Sequence, residues 1–493
     1  MNHILNDTSK FLRINKDPSN GIKTEANKLI TTLNSVENNL KLNKIVGDYN
    51  LGYLYGNVKT HKQGNPLRPI ISQCPTSTYH LAKSLNKIIL PYIDNKYMLT
   101  STDDFLDLVK SNDYQGIIAS LDVESLFSNV PIDTTINIII ERTYHHPNLL
   151  PPRIPPEILR KMLILCTKEL AFTTPNGHIF KQIDGVAMGS PLGPTFANYY
   201  MSHLENTIFS NCPNVKPTLY ARYVDDIFLV VNDETEIVNM KNNFESHSIL
   251  KFTYEMNING KLPFLDVLVE MNNGVIRTNV YRKNTNTGHC LNADSHCSQQ
   301  YKESVIKSYI NRAYKVTDSW NDFHEEIKTV KQMLVNNNFS NSIIDRNINE
   351  FLSNKFTSNE LNDKSYINIY YKNQYHKNYR MEEKNIQNIV KSNIKCVDKN
   401  KSIRFIIYYN NKKAASLIMT NNNAPKPTGM QKANVVYKFQ CPLSHGNATS
   451  TYNYVGMTTT CLLRRLTSHT YSGSIKEHFL EHHNMKLDKK YAY

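Results

Sequence analysis

The feature that most constrains this chain is a pair of adjacent aspartates between two apolar segments. The stretch from Leu219 to Val231 reads Leu-Tyr-Ala-Arg-Tyr-Val-Asp-Asp-Ile-Phe-Leu-Val-Val. Aromatic and β-branched residues on both sides predict a β-hairpin with acids at its tip. Turn chemistry explains one aspartate, but two adjacent acids repel each other unless a cation neutralises them. Asp225 and Asp226 therefore predict a cation site at the end of a sheet.

A second candidate acid lies far upstream, where the apolar segment 116–121 ends at Asp122. If the two strands are neighbours in one sheet, Asp122 and Asp225 face each other across a gap that suits two divalent ions about 3.5–4 Å apart. Hard oxygen ligands favour Mg²⁺, with Mn²⁺ as a substitute. The spacing therefore indicates two-metal phosphoryl transfer.

Composition limits the classes of protein that can carry such a site. The chain has 493 residues, a formal net charge of +14 and 40% hydrophobic residues, so we expect two or three folded units and a polyanionic partner. We expect no membrane span, because the longest apolar runs are far shorter than the roughly 20 residues required. The beginning of the sequence lacks a secretory pattern and the eight cysteines are scattered, so we expect an intracellular protein.

Several segments resemble, in matching order, the reverse transcriptase of Penelope-like retroelements. The resemblance runs from about Leu54 to Glu350. It is carried by four segments: Ser120–Val123 with Phe127, Gly185–Pro194, Tyr223–Asp226 and Leu262–Asp266. It implies an α+β right-hand polymerase with fingers, palm and helical thumb. It also implies that Asp122, Asp225 and Asp226 are the catalytic acids and hold two Mg²⁺ ions.

The resemblance assigns further roles around these acids. Lys62 and Arg68 would reach the triphosphate, and Phe127 would pack under the sugar and exclude a 2′-hydroxyl. The segment with Gly189 and Pro191 would hold template and nucleotide. A primer grip is implied at Tyr281, Arg282 and Lys283. From the residues alone, Phe127 is equally a core side chain and the 185–194 segment a tight structural turn.

Two further patterns concern metals and a second activity. His289, Cys290, His296 and Cys297 could ligate zinc, but their spacing is not that of a standard finger. Cys441 with His445 is a second, weaker pattern. Near the end of the sequence, Arg465 and His469 are four residues apart and share one helix face, downstream of two short apolar strands that each carry a tyrosine.

The segment from about Asn434 to Asn484 resembles the GIY-YIG endonuclease that accompanies Penelope-like polymerases. The resemblance places Tyr437, Tyr454, Arg465 and His469 in the nuclease site. The family also has a metal-binding glutamate in a Glu-Asn context on a later helix, and no Glu-Asn pair occurs between His469 and Tyr493, where the sequence ends. We therefore expect a truncated nuclease that nicks DNA poorly or not at all.

The predicted organisation has five parts. They are an N-terminal helical extension (1–50, with a helix near Glu25–Leu42), fingers and palm (51–299), a helical thumb (300–354), a basic Asn/Lys-rich connector (355–433) and a small α/β GIY-YIG-like domain (434–493). The expected partners are an RNA template, a DNA primer, deoxynucleoside triphosphates and a chromosomal DNA target, which requires access to the nucleus. Three alternatives remain: a non-catalytic, host-adopted nucleic-acid-binding protein, a telomerase-like or intron-type reverse transcriptase, and a GIY-YIG enzyme with an unrelated N-terminal region.

Overall fold

The computed structural model divides the chain into two compact units, Met1–Asn411 and Lys412–Tyr493. The described residues are 2–36, 42–47, 49–59, 64–74, 76–110, 113–212, 215–356, 365–376, 378–394, 396, 401–410, 429–432, 434–443 and 452–487. No described helix combines the length and hydrophobicity needed to cross a bilayer.

The described strands, in chain order, are β1 (Phe11–Ile14), β2 (Gly52–Val58), β3 (Leu67–Ser72), β4 (Ile117–Val123), β5 (Ala171–Thr173), β6 (Ile179–Gln182), β7 (Leu219–Tyr223), β8 (Asp226–Val231), β9 (Phe252–Met256), β10 (Lys261–Phe264), β11 (Val267–Asn272), β12 (Val275–Val280), β13 (Ser365–Gln374), β14 (Lys401–Asn410), β15 (Val435–Gln440) and β16 (Asn453–Thr458). The described helices are α1 (Asn2–Leu5), α2 (Ser19–Val36), α3 (Tyr79–Ile89), α4 (Thr102–Lys110), α5 (Leu126–Asn129), α6 (Ile132–Tyr144), α7 (Pro156–Leu165), α8 (Gly193–Asn211), α9 (Glu234–Ser246), α10 (Gln299–Val316), α11 (Trp320–Asn336), α12 (Asn341–Phe356), α13 (Tyr379–Asn393), α14 (Leu462–His469) and α15 (Ser474–His483).

The sheet in the region predicted to be the palm has four antiparallel strands in the order β7-β8-β4-β9. Strand β8 is apolar from Ile227 to Val231 because both of its faces are covered there, so the usual alternation of apolar and polar residues is lost. Ile227, Leu229 and Val231 belong to one core cluster, with helices α6 and α8. Phe228 and Val230 belong to a second cluster, with α4 and the β10-β11-β12 sheet. Burial on both faces fixes the position of the hairpin that carries the paired aspartates.

The N-terminal segment contributes a strand to a sheet whose other strands lie further along the chain. Strand β1 pairs with β6 in a five-stranded sheet of order β1-β6-β5-β2-β3. Helix α2 begins at Ser19 and ends at Val36, earlier than the predicted span, and buries Ala26, Ile30 and Leu33 in the main core. The segment predicted as an N-terminal helical extension over 1–50 thus also contains a strand, which hydrogen-bonds to residues that lie far along the chain.

Three helices, α10, α11 and α12, occupy the region predicted to be the thumb. Their core contains Ile306, Ile310, Val330 and Leu334. The side chain of Ser319 caps α11 by accepting a hydrogen bond from the Asp322 amide at 3.0 Å. Arg312 of α10 forms an ion pair with Asp266, at the turn between β10 and β11, at 3.0 Å. This contact connects the first thumb helix to the small antiparallel sheet beside the palm.

The region predicted to be a connector is partly folded. Strands β13 and β14 pair in parallel, and α13 lies between them in the sequence, so residues 365–410 form a β-α-β unit. The prediction of a linker followed from the scarcity of Leu and Val. Alternating Ile and Tyr residues provide the strand pattern instead.

The second unit consists of the antiparallel pair β15-β16 and helices α14 and α15. Its core contains Phe439, Ile475, Phe479 and Leu487. A two-stranded sheet gains stability by packing against helices, which these apolar contacts provide.

Candidate active site

The paired aspartates lie at the tight turn between β7 and β8. Val224 has a φ of 57°, a left-handed conformation that is costly for a β-branched residue. The carbonyl of Asp225 accepts a hydrogen bond from the amide of Val123 at 3.1 Å. The turn is therefore held against the end of β4, where the upstream acid lies.

Asp122 of β4 lies directly opposite Asp226 of β8 in the antiparallel register. Such partners have Cα atoms about 4.5–5.5 Å apart and side chains on the same face of the sheet. Asp122, Asp225 and Asp226 all line one cavity of about 1200 Å³. The structure thus places the three acids in one cavity, but the residue directly opposite Asp122 is Asp226 and not Asp225, as the sequence had led us to expect.

The cavity places negative charge where solvent is restricted. Burial, followed by the nearby Asp225 and Asp122 carboxylates, raises the pKa of Asp226 to about 6. Burial also raises the pKa of Asp225, although Arg68 and Lys59 act in the opposite direction. Three oxygen-donor side chains that repel one another in one cavity fit divalent ions of the Mg²⁺ type.

From the sequence alone, Arg222 has no assigned role. In the structure, its side chain supports the turn that carries Asp225 and Asp226. Its side chain and that of Glu205 are buried, with exposed fractions of 0% and 1%, and they form an ion pair. The Nη1 group donates to the carbonyl of Val224 at 3.1 Å and to Asn198 at 2.8 Å. The Nη2 group donates to Ser202 and to Glu205, each at 3.2 Å. All five guanidinium N–H groups are thereby used, and one of them fixes the strained turn.

The residues predicted to contact the nucleotide have different locations. Arg68 and Phe127 line the cavity. Lys62 lies outside the described residues. Gly189 packs against the fingers, since a Cβ there would meet the Ile71 carbonyl at 2.2 Å, and neither Gly189 nor Pro191 is among the residues that line the cavity. Close backbone packing therefore explains why residue 189 is a glycine. The sequence had placed Gly189 in the segment expected to hold template and nucleotide.

The three residues of the predicted primer grip also separate. Tyr281 and Lys283 line the cavity, and the charge of Lys283 acts to lower the pKa of Asp226. Arg282 instead pairs with Glu326 of thumb helix α11, with both side chains largely buried. Alternation along an extended segment explains the split, because successive side chains point in opposite directions.

Other cavity residues were not anticipated as part of the site. Lys59 of the fingers lines the cavity, together with Asp7, Lys10 and Phe11 from the N-terminal segment. Lys10 also donates a hydrogen bond to Asn129 of α5. The sequence did contain a signal that Lys59 could belong to the site, because this basic residue lies next to a segment that contains Gly and Pro. The N-terminal residues gave none, because only the pairing of β1 with β6 brings them near.

The second unit brings together the four residues predicted for a nuclease. Tyr437 Oη lies 2.6 Å from His469 Nε2, and Arg465 Nε donates to the same phenol oxygen at 3.2 Å. The ring of Tyr454 lies edge-on to His469 at 5.3 Å. Burial, and then the charge of Arg465, lowers the pKa of His469, which favours the neutral imidazole. Gly456 is needed opposite Tyr437, because a Cβ there would come within 2.5 Å of the phenol.

A group of metal-type ligands also lies in this unit. The ligand atoms of Cys441, His478 and His483 are all within 4.8 Å of one another. Cys441 Sγ lies 3.3 Å from His483 Nε2. Thiolate and imidazole are donors that zinc prefers. His445 lies outside the described residues.

The upstream His-Cys pairs do not come together in the same way. Cys290 packs against the thumb core, and the His296 ring contacts Tyr375 with centroids 4.6 Å apart. The sequence spacing therefore reflects thumb packing here.

Comparison with known proteins identifies two regions of the chain. Residues 60–259 match the family of reverse transcriptases, described as RNA-dependent DNA polymerases. Residues 289–349 match an animal helix-turn-helix domain. That second match spans the thumb helices α10 and α11 and part of α12. No curated protein sequence matches the chain.

Solved structures similar to the chain include telomerases and a viral polymerase. Apo telomerase from Candida tropicalis, truncated from the C-terminal domain, is 12% identical over 52% of this chain and 60% of its own, with a TM-score of 0.37. Telomerase from Candida albicans in complex with a fragment of telomeric RNA is 10% identical over 63% of this chain and 64% of its own, with a TM-score of 0.40. The Sicinivirus 3Dpol RNA-dependent RNA polymerase is 12% identical over 63% of this chain and 68% of its own, with a TM-score of 0.41.

The chain thus spans about three fifths of the length of the telomerases it matches. The family match over 60–259 covers the strands and the turn that carry all three clustered acids. Residues 60–259 of this chain are therefore similar to the reverse transcriptase family.

Proposed function

We propose that this protein is an RNA-directed DNA polymerase that extends a DNA primer with deoxynucleotides on an RNA template. The observation that carries the proposal is the meeting of Asp122, Asp225 and Asp226 in one cavity whose lining also includes Arg68 and Lys283. Acids for metal ions and cations for phosphate in the same cavity suit phosphoryl transfer. The match to the reverse transcriptase family supports RNA as the template.

Each side chain has a role that its position permits. The three carboxylates would hold two divalent ions, which when bound activate the primer 3′-hydroxyl and stabilise the leaving oxygen. Arg68, with its planar fork, and Lys59 would bind the triphosphate and offset its charge. Phe127 would lie under the sugar and exclude a ribose 2′-hydroxyl. Tyr281 and Lys283, on the other side of the acids in the sequence, would position the primer end.

Primer extension on an RNA template with Mg²⁺ tests the proposal. We expect Asp225→Asn to abolish extension, because it removes one of the metal-binding carboxylates. Asp107→Asn, which changes an exposed acid on α4, is the matched control and should extend normally. Equal extension by the Asp225→Asn variant and the parent chain would refute the assignment of the acids.

The same assay separates the alternatives. A host-adopted protein that only binds nucleic acid would bind the template–primer without extending it. A telomerase-like enzyme would add short repeats from an internal template to a primer supplied alone. The resemblance to Penelope-like elements favours a retrotransposon enzyme that copies its own RNA at a chromosomal DNA target.

We also propose DNA nicking as a second activity, located in the Lys412–Tyr493 unit. The contact of Tyr437 with both His469 and Arg465 favours it, since a phenol and a neutral imidazole can pass a proton while Arg stabilises charge on phosphorus. Two acids of α15, Glu477 and Glu481, are exposed. They are the acids nearest to the place where the nuclease family has its metal ligand.

Nicking of supercoiled plasmid by the full chain tests this activity. We expect weak, metal-dependent nicking that is lost in His469→Ala and retained in Asp225→Asn. Loss of nicking in Asp225→Asn alone would assign the cleavage to the polymerase cavity instead.

A further inference from the structure

The β-α-β unit over 365–410 has two different sheet faces. Strands β13 and β14 pair in parallel with Tyr370 opposite Ile406 and Lys372 opposite Tyr408. Because side chains alternate along a strand and paired residues share a face, the register assigns every side chain to one of two faces.

One face is partly covered within the protein, although Ile367 and Tyr371 on this face are 44% and 41% exposed. Ile407 and Tyr409 on this face are buried, at 6% and 7% exposure. The Tyr409 hydroxyl donates to Glu383 of α13, and the Tyr301 hydroxyl of thumb helix α10 donates to the Tyr409 carbonyl at 3.2 Å. Helix α13 therefore packs on this side at Tyr409, where Glu383 accepts the hydrogen bond, and the second acid of α13, Glu382, is bonded to Asn373 and His376.

The opposite face is exposed and carries aromatic and basic side chains. Tyr366, Tyr370 and Tyr408 are 53%, 64% and 42% exposed. Lys372 and Arg404, on the same face, are also exposed. Neither strand contains an Asp or a Glu. We name this surface, formed by Tyr366, Tyr370, Lys372, Arg404 and Tyr408, the tyrosine face.

The spacing of the rings suits successive bases of a single strand. Tyr408 is two residues beyond the partner of Tyr370, which makes the two rings diagonal neighbours with Cα atoms about 7–8 Å apart. Tyr366 precedes Tyr370 by four residues on the same strand, or about 13 Å. Stacking on aromatic rings accepts any base, because every base has a π-face.

The charge of the tyrosine face indicates which kind of partner it binds. An exposed, acid-free surface with Lys372 beside Tyr408 and Arg404 between Tyr366 and Tyr408 complements a phosphate backbone. Base stacking combined with backbone contacts is how extended sheet surfaces recognise unpaired nucleic acid.

We infer that the tyrosine face binds single-stranded nucleic acid, with bases stacked on Tyr370 and Tyr408 and phosphates contacting Lys372 and Arg404. This site is separate from the polymerase cavity and does not depend on the proposed catalytic activity. It would hold unpaired template or displaced strand next to the thumb.

Fluorescence anisotropy with the full chain tests the inference. The probes are a fluorescein-labelled oligouridine dodecamer, the matching oligothymidine and a duplex of the same length. The chain is first saturated with unlabelled template–primer so that the polymerase cavity is filled. Loss of one stacking ring should weaken binding by about 5-fold to about 150-fold. We therefore expect the Tyr370→Ala/Tyr408→Ala variant to bind single strands at least about 5-fold more weakly than the parent chain.

Matched variants distinguish stacking from general disruption. Tyr370→Phe/Tyr408→Phe keeps both rings and should bind like the parent chain. Tyr471→Ala removes an exposed tyrosine from the other unit and should have no effect. Lys372→Gln/Arg404→Gln should reduce the slope of log K against log salt by about 1.4, which corresponds to two phosphate contacts.

The outcomes are distinct. Tighter binding of oligouridine than of oligothymidine would identify RNA as the ligand, and the reverse would identify DNA; either supports the site. Unchanged affinity of the alanine variant for both single strands would overturn the inference and leave a protein as the partner of this face. Primer extension by the alanine variant on a short template should equal that of the parent chain. If neither protein extends the primer, the result counts against the proposed polymerase and not against this site.

Discussion

Arg222→Met is the perturbation that most sharply tests how the acidic turn is held. The substitution leaves the Glu205 carboxylate buried with only the Tyr220 hydroxyl as a described hydrogen-bond donor at 2.8 Å. It also removes the donor to the Val224 carbonyl. Removing one partner of a buried ion pair costs about 3–5 kcal/mol, because the other charge stays uncompensated. At about 2.1 cal/mol/K of unfolding entropy per residue, a unit of this size shifts by roughly 1 °C per kcal/mol, so we expect the melting temperature of the larger unit, Met1–Asn411, to fall by about 3–6 °C.

A second variant separates stability from activity. Glu205→Met/Arg222→Met removes both charges, and replacing a buried pair by apolar side chains is often neutral or stabilising. We expect this double variant to recover most of the melting temperature, measured by circular dichroism, but not the kcat of primer extension. The strained turn at Val224 still lacks its donor in the double variant, so the Asp225 carboxylate is displaced and metal binding weakens.

The results that would refute this reasoning are specific. A double variant as active as the parent chain would show that Arg222 contributes only to folding. A loss of less than about 1 kcal/mol in Arg222→Met would show that the buried pair is not stabilised as its contacts indicate.

Four further predictions follow from the two candidate sites. In metal-free buffer, Asp226→Asn should stabilise the fold at pH 8 by about 1–2 kcal/mol and have little effect at about pH 3, measured by urea denaturation. Because folding raises the pKa of Asp226 from 3.8 to about 6, the destabilisation begins as the pH rises above 3.8, is complete above about 6, and is lost below 3.8, where the carboxyl is protonated in both states; partial solvent access reduces the effect. Phe127→Ala should admit ribonucleotides in primer extension, and unchanged sugar selectivity would contradict the proposed gate. The chain should bind one zinc ion, detected by elemental analysis after dialysis, and Cys441→Ser should lose it; equal zinc content in both would exclude the site. His469→Gln should abolish nicking with little change in extension rate, and equal nicking would remove His469 from the nuclease.

The acids were predictable because electrostatics leaves few explanations for them. Two adjacent like charges between apolar strands require a counter-ion, and Asp122 follows a second segment that reads as a buried strand. The register that places Asp122 opposite Asp226 could not be read from the sequence, since it depends on pairing between distant strands.

The differences between expectation and structure arose where distant contacts decide the structure. The pairing of β1 with β6 adds a strand to the segment predicted as an N-terminal helical extension. Gly189 seemed suited to a ligand but is required by the backbone of β3. In the 355–433 segment, the low content of Leu and Val concealed two strands, although Ile and Tyr at alternating positions were a usable signal.

Arg222 illustrates a different limit. Its position two residues before Val224 was visible, but a single arginine in a strand is ordinarily a surface residue. Only helix α8 supplies the Glu205, Asn198 and Ser202 side chains that allow it to be buried. Sequence reasoning can therefore find acids that require a cation, but it cannot find the residues that hold them in place.

Binding of Mn²⁺, followed by electron paramagnetic resonance in the presence of template–primer and a non-hydrolysable nucleotide, tests the central claim most directly. We predict two ions per chain with the spin coupling of metals about 3.5–4 Å apart, and loss of that coupled signal in Asp122→Asn. Two coupled ions that persist unchanged in Asp122→Asn, or the absence of any bound ion in the parent chain, would contradict the claim that the acids of β4 and of the β7–β8 turn share a metal pair.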